Sequence, residues 1–110
     1  MNISTHVLDA SAGVPAAGMV VRLDGRDGGV WRTVATERTD QDGRITGFSP
    51  VADEARHYRL AFDTASYFMD RGLGFLYPEI VVTVAPAEPD RHLHVPLVLT
   101  PYGYTTYQGR

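Results

Sequence analysis

The chain has 110 residues, 10 basic and 13 acidic, for a formal charge of -3, and it holds no cysteine. That length reads as one domain spanning residues 1–110, and the acidic balance argues against a nucleic-acid or anionic-membrane partner. Without cysteine there are no disulfides, thiolate nucleophiles or thiolate metal sites, and because every basic residue is arginine, Schiff-base and lysine-base chemistry are excluded too. Four histidines, the arginines, carboxylates, hydroxyls and six tyrosines remain to carry chemistry.

No apolar run approaches the ~20 residues that span a bilayer, and Met1-Asn2-Ile3-Ser4-Thr5-His6 has neither the basic nor the apolar region of a signal peptide. The expected location is cytoplasmic. Short alternating runs punctuated by turn residues suggest an all-β fold. Ile3, Thr5 and Val7 alternate with Ser4 and His6 in a first strand ending near Leu8-Asp9, and residues 11–18 read as a loop. Met19, Val21 and Leu23 share a face of the second strand, which ends in a turn at Gly25 and Asp27-Gly28-Gly29. A third strand covers 30–38, followed by the turn Asp40-Gln41-Asp42-Gly43 and a short strand at Arg44-Ile45-Thr46. The Asp-x-Asp-Gly spelling is not a calcium loop, since glycine and glutamate are missing at the required sixth and twelfth positions, Ile45 and Val51.

Tyr58, Leu60 and Phe62 point inward from a strand over 57–63. A short helix over 65–71 follows, capped by Asp63 or Thr64 and closed by Gly72. Strands at 79–84, 92–99 and 102–107 complete the chain, with Pro86 and Pro89 in the loop after the first of these. Seven to eight strands and one short helix suggest a two-sheet β-sandwich.

The segment 92–99 carries the strongest chemical signal. Leu93, Val95, Leu97 and Leu99 share one face as core, leaving His92 and His94 side by side on the other, about 7 Å apart along the strand. Spacing alone leaves two readings of the pair, surface histidines or a site for acid-base work or a metal. A zinc site would need a third ligand, for which His6 is the candidate. Pro96 lacks a ladder donor and points to an edge or irregular position. Locally, Arg44 reads first as a charge at a hairpin end. Trp31, Tyr58 and Phe62 read as packing residues, and His57 receives no function. Rings on both faces of 102–107 suggest burial against a second subunit.

Three segments together resemble the transthyretin-like 5-hydroxyisourate hydrolases: Ser4-Thr5-His6-Val7-Leu8-Asp9, Thr39-Asp40-Gln41-Asp42-Gly43-Arg44, and His92-Leu93-His94-Val95-Pro96-Leu97 continuing through Pro101-Tyr102-Gly103-Tyr104-Thr105-Thr106-Tyr107. Tyr58-Arg59-Leu60 and Phe75-Leu76-Tyr77-Pro78-Glu79 agree with the same family. The resemblance implies a prealbumin-type sandwich assembled as a homotetramer, a dimer of dimers with sites in the channel between them. It implies hydrolysis of 5-hydroxyisourate to 2-oxo-4-hydroxy-4-carboxy-5-ureidoimidazoline in urate degradation, with no metal and no cofactor. The catalytic residues it implies are His6, Arg44 and His94, with His6, Arg44, His92 and Tyr107 binding substrate. The terminal tetrapeptide departs from the family's Tyr-Arg-Gly-Ser, reading Tyr107-Gln108-Gly109-Arg110, so that Arg110 is the candidate source of the guanidinium. The alternative function is a non-catalytic carrier of a planar aromatic ligand in the same channel.

Overall fold

A computed structural model describes residues 2–48, 55–88 and 91–110. Met1, Val51 and Pro89 therefore lie outside the described residues. Ten strands and one helix are present among the described residues: β1 (Ile3–Asp9), β2 (Val14–Pro15), β3 (Val20–Asp27), β4 (Val30–Arg38), β5 (Arg44–Ile45), β6 (His57–Phe62), α1 (Thr64–Asp70), β7 (Ile80–Val84), β8 (Leu93–His94), β9 (Leu97–Thr100) and β10 (Gly103–Thr106). They form two sheets. One runs β10-β9-β1-β2, with β5 and β8 also paired to β1; the other runs β4-β3-β6-β7.

Strand β1 organises the first sheet. Along one edge it pairs in parallel with β8 and then β9, and along the other it pairs antiparallel with β5 and then β2. Its alternation sorts the faces: Ile3 and Val7 are wholly buried between the sheets with Leu97, Leu99, Val21, Leu23, Leu60 and Phe62. Each such side chain contributes about 1.5–3 kcal/mol by leaving water. Ser4 and His6 consequently face the opposite side of the sheet.

The helix is capped by Asp63, whose carboxylate accepts the Ser66 N–H at 3.1 Å and the Ser66 hydroxyl at 2.7 Å. It ends one residue earlier than the sequence suggests, at Asp70, with Gly72 just beyond the cap. Tyr67 and Phe68 join the core, and the Tyr67 hydroxyl donates to the buried Asp9 carboxylate at 2.9 Å, tying the helix to the end of β1. Burial and the Asp9 carboxylate push the Tyr67 phenol up to about 12. Burial alone would raise Asp9, yet donation from the Ser11 hydroxyl, the Ala12 N–H, the Tyr67 hydroxyl and the Ser11 N–H leaves it below its ordinary value.

The strands depart from the sequence reading most at the following places. The loop over 11–18 contains β2, which closes the edge of β1. Gly25 lies inside β3 rather than in a turn, its missing side chain making room for Ala55 and Val34 on the core side. The strand read over 92–99 is two strands, interrupted at Val95–Pro96. Pro96 has no N–H to donate, so the ladder breaks there, while the inward face Leu93, Val95, Leu97, Leu99 survives intact. Pro96 itself is buried. A bulge in the β3–β4 ladder also interrupts the alternation of β4, so that Val34 and Ala35 both pack on the core.

Candidate active site

Two register pairs bring the chemistry together. His6 of β1 stands directly opposite Arg44 of β5, and Ser4 of β1 stands opposite His94 of β8. Direct partners share a face with their Cβ atoms roughly 5 Å apart. His92, two residues before His94, lies on that face too. The five side chains therefore occupy the outer surface of the first sheet, behind the leucine-rich core.

The turn before β5 is built to hold Arg44 there. The Asp40 carboxylate accepts the backbone N–H groups of Asp42 and Arg44, both at 2.9 Å, while Asp40 N–H bonds the Arg44 carbonyl at 2.9 Å. Gly43 takes a φ of +76°, and a Cβ there would collide with the Val7 carbonyl oxygen, so only glycine closes the turn against β1. The Asp42 carbonyl accepts a bond of 2.9 Å from His6 Nε2. A carbonyl has no proton to give, so His6 carries its proton on Nε2 and presents Nδ1 as the lone pair.

His94 is gripped on several sides. Its Nδ1 lies 2.7 Å from Ser4 Oγ, and its carbonyl accepts the Gly109 N–H at 2.9 Å. Gly109 packs so closely that a Cβ there would fall 2.5 Å from His94 Cδ2 and 3.1 Å from Pro96 Cγ. The tail reaches that position because β10 pairs with β9 as far as Thr106, whose hydroxyl bonds the Pro96 carbonyl at 2.7 Å, and rejoins the sheet at Gly109 opposite His94. Tyr107 and Gln108 lie off the ladder where Pro96 interrupts it. Ser4 Oγ also lies 2.7 Å from His92 Nε2.

His94 is held below the ordinary histidine value, first by burial and then by the positive charges of Arg44, His92 and His6. It is therefore a neutral imidazole at pH 7. Beside it opens a cleft of about 900 Å³ whose wall includes His92, His94, Tyr107 and Arg110. His6 and Arg44 lie on the same sheet face but outside the cleft wall. Arg44 is exposed, and its guanidinium is free to turn toward a ligand. Among the described residues no three histidine or carboxylate side chains are grouped as metal ligands are. The sequence reading missed Ser4, Gly109 and the Asp42 carbonyl. Ser4 shares the outward face of β1 with His6, and that alternation is its only signal.

Residues 3–109 match the model of the HIUase/Transthyretin family. The chain belongs to that family. It is 41% identical over 108 residues to a 5-hydroxyisourate hydrolase of Salmonella typhimurium, covering 97% of this chain and 79% of the relative. The solved structure of Klebsiella pneumoniae 5-hydroxyisourate hydrolase superposes with a TM-score of 0.86 at 33% identity, covering all of both chains. Sea bream transthyretin in complex with thyroxine superposes with a TM-score of 0.87 at 28% identity, covering 97% of this chain and 93% of that one. The family's fold is thus the two-sheet sandwich described above, with its short helix.

Proposed function

We propose that the protein is an enzyme that hydrolyses 5-hydroxyisourate to 2-oxo-4-hydroxy-4-carboxy-5-ureidoimidazoline in urate degradation. The observation that carries this reading is a neutral His94 set among Arg44, His6 and His92 at the edge of a cleft. Ring opening needs a base to take a proton from water, a cation to meet the oxygen that gains charge, and an acid for the departing nitrogen. His94 and His6 divide the base and acid roles, since each presents an imidazole nitrogen that can accept or donate a proton. Arg44 meets the developing oxyanion with a fixed charge and a fork of donors. His92 and Tyr107 hold the substrate ring from the cleft wall. The residues need neither metal nor cofactor for these steps.

The same reading takes residues 1–110 as one hydrolase domain acting in the cytoplasm as a homotetramer, a dimer of dimers. Support for assembly comes from β10, an edge strand near which Tyr102, Tyr104 and Tyr107 are exposed. No helix among the described residues is long and apolar enough to cross a membrane. A carrier of planar ligands would need neither the turn that holds Arg44 opposite His6 nor a base beside it. The test is to generate 5-hydroxyisourate with urate oxidase, add the protein at once, and follow the absorbance. The reading expects decay proportional to protein concentration; decay no faster than the buffer blank contradicts it. Light scattering at four times the chain mass supports the tetramer.

A further inference from the structure

Ser4 Oγ lies 2.7 Å from His92 Nε2 and 2.7 Å from His94 Nδ1. A serine hydroxyl owns one proton, so between two neutral imidazoles it donates to one nitrogen and accepts from the other. Two arrangements satisfy this. In the first, His92 Nε2–H donates to Ser4 and Ser4 donates to His94 Nδ1, which places the His94 proton on Nε2. In the second, His94 Nδ1–H donates to Ser4 and Ser4 donates to His92 Nε2, which places the His92 proton on Nδ1. Either way the two rings carry their protons on the same kind of nitrogen. Only the second leaves a lone pair on His94 Nε2, the ring nitrogen with no hydrogen-bond partner among the described residues.

We propose that Ser4 is a proton relay through which His94 passes the charge it acquires in catalysis to His92. The role rests on the hydrolase reading above. When His94 Nε2 takes a proton from water, its Nδ1 proton moves to Ser4 Oγ while the Ser4 proton moves to His92 Nε2. His94 is then neutral with a proton on Nε2, and the positive charge sits on His92. As the ring nitrogen of the substrate departs, His94 Nε2–H protonates it. The His92 proton returns to Ser4, the Ser4 proton returns to His94 Nδ1, and the starting state is restored with no proton gained or lost.

The surroundings give the direction of transfer. The charged groups acting on His94 are Arg44, His6 and His92, all of which disfavour an imidazolium there, and His94 is half-buried. His92 is exposed, so water solvates the charge at the far end. Ser4 itself is buried, 6% exposed, which keeps competing water off the two bonds.

The first test needs no substrate. Nitrogen-15 NMR of the histidine rings at pH 8 reads each tautomer, and the relay expects His92 and His94 both to be protonated on Nδ1. A proton on Nε2 of either neutral ring in the native protein overturns it, whatever the activity proves to be. The second test is kinetic, with freshly generated 5-hydroxyisourate. Ser4→Ala should lower kcat/KM by about 10- to 100-fold, a part of the assistance that general acid-base groups supply. Ser4→Thr, which keeps the hydroxyl, should restore it to within about threefold. In mixed light and heavy water, kcat/KM should bend as for several protons in flight, and become linear in Ser4→Ala. His92→Ala, which also removes a substrate contact, should cost at least as much as Ser4→Ala, and adding Ser4→Ala to it should bring no further loss, as for two links of one chain. Additive losses, or an unchanged curve in Ser4→Ala, overturn the relay. If the native protein shows no turnover, the hydrolase reading fails and the tautomers alone decide the Ser4 link.

Discussion

Gly109→Ala tests whether the C-terminal tail sets the position of the His94 imidazole. Gly109 has no left-handed φ, so alanine can adopt its backbone and the only new feature is the methyl group. That methyl would lie 2.5 Å from His94 Cδ2 and 3.1 Å from Pro96 Cγ. Carbon atoms settle about 3.5–4.0 Å apart, so roughly 1 Å must be found. Pro96 is buried and rigid. Either the imidazole swings away, straining its 2.7 Å bond to Ser4, or the tail lifts and the 2.9 Å Gly109–His94 backbone bond is lost. A displacement of about 1 Å at a reacting group costs on the order of 100-fold in rate, or about 2.7 kcal/mol of barrier. Global stability should change by less than ~1 kcal/mol, because Gly109 touches the sheet at one isolated bridge beyond the end of β10. The assay is kcat/KM on fresh 5-hydroxyisourate beside urea denaturation, with the exposed Gln108→Ala as control. Activity of Gly109→Ala within about threefold of the native protein would refute the argument.

Further outcomes follow from the same contacts. Arg44→Gln removes the fixed cation and should lower kcat by about 100- to 1000-fold, with circular dichroism unchanged because the side chain is exposed. Tyr67→Phe takes a donor from the buried Asp9 carboxylate and should destabilise the fold by about 2 kcal/mol, read from urea midpoints. Asp24 is 2% exposed; burial alone would raise it, but Arg22 and Arg59 hold it below the ordinary carboxylate value. A depressed carboxylate contributes stability that is present above the unfolded pKa of about 3.9 and lost as pH falls through the folded value. Asp24→Asn should therefore lose less stability between pH 7 and pH 3 than the native protein does; an equal loss would show that Asp24 is not the group responsible.

What the sequence discloses and what it withholds divide along a physical line. Periodicity reports burial within one strand, and so alternation alone sets Leu93, Val95, Leu97 and Leu99 against His92 and His94. The Asp63 cap is legible for the same reason, since its partner Ser66 lies three residues away. Partnerships between distant strands leave no periodic trace. Ser4 meets its two histidines across 88 and 90 residues, through a parallel pairing that no turn motif announces. Arg44 reads locally as a hairpin-end charge because its partner His6 comes from β1, not from a hairpin with its neighbour. Gly109 lies in a tail whose departure from the family tetrapeptide points to Gln108 and Arg110, while the close contact is made by the glycine that does not change. The family resemblance groups His6, Arg44, His94 and Tyr107; the sheet register supplies the physical reason for the first three.

The central claim is that a neutral His94 performs the chemistry, and the pH dependence of kcat/KM tests it most directly, because that quantity titrates groups of the free enzyme. Burial and the neighbouring cations depress His94, so activity should climb with pH through an apparent value below the ordinary 6.5 and be fully developed by neutrality. A rate that rises only above pH 7 would contradict the account.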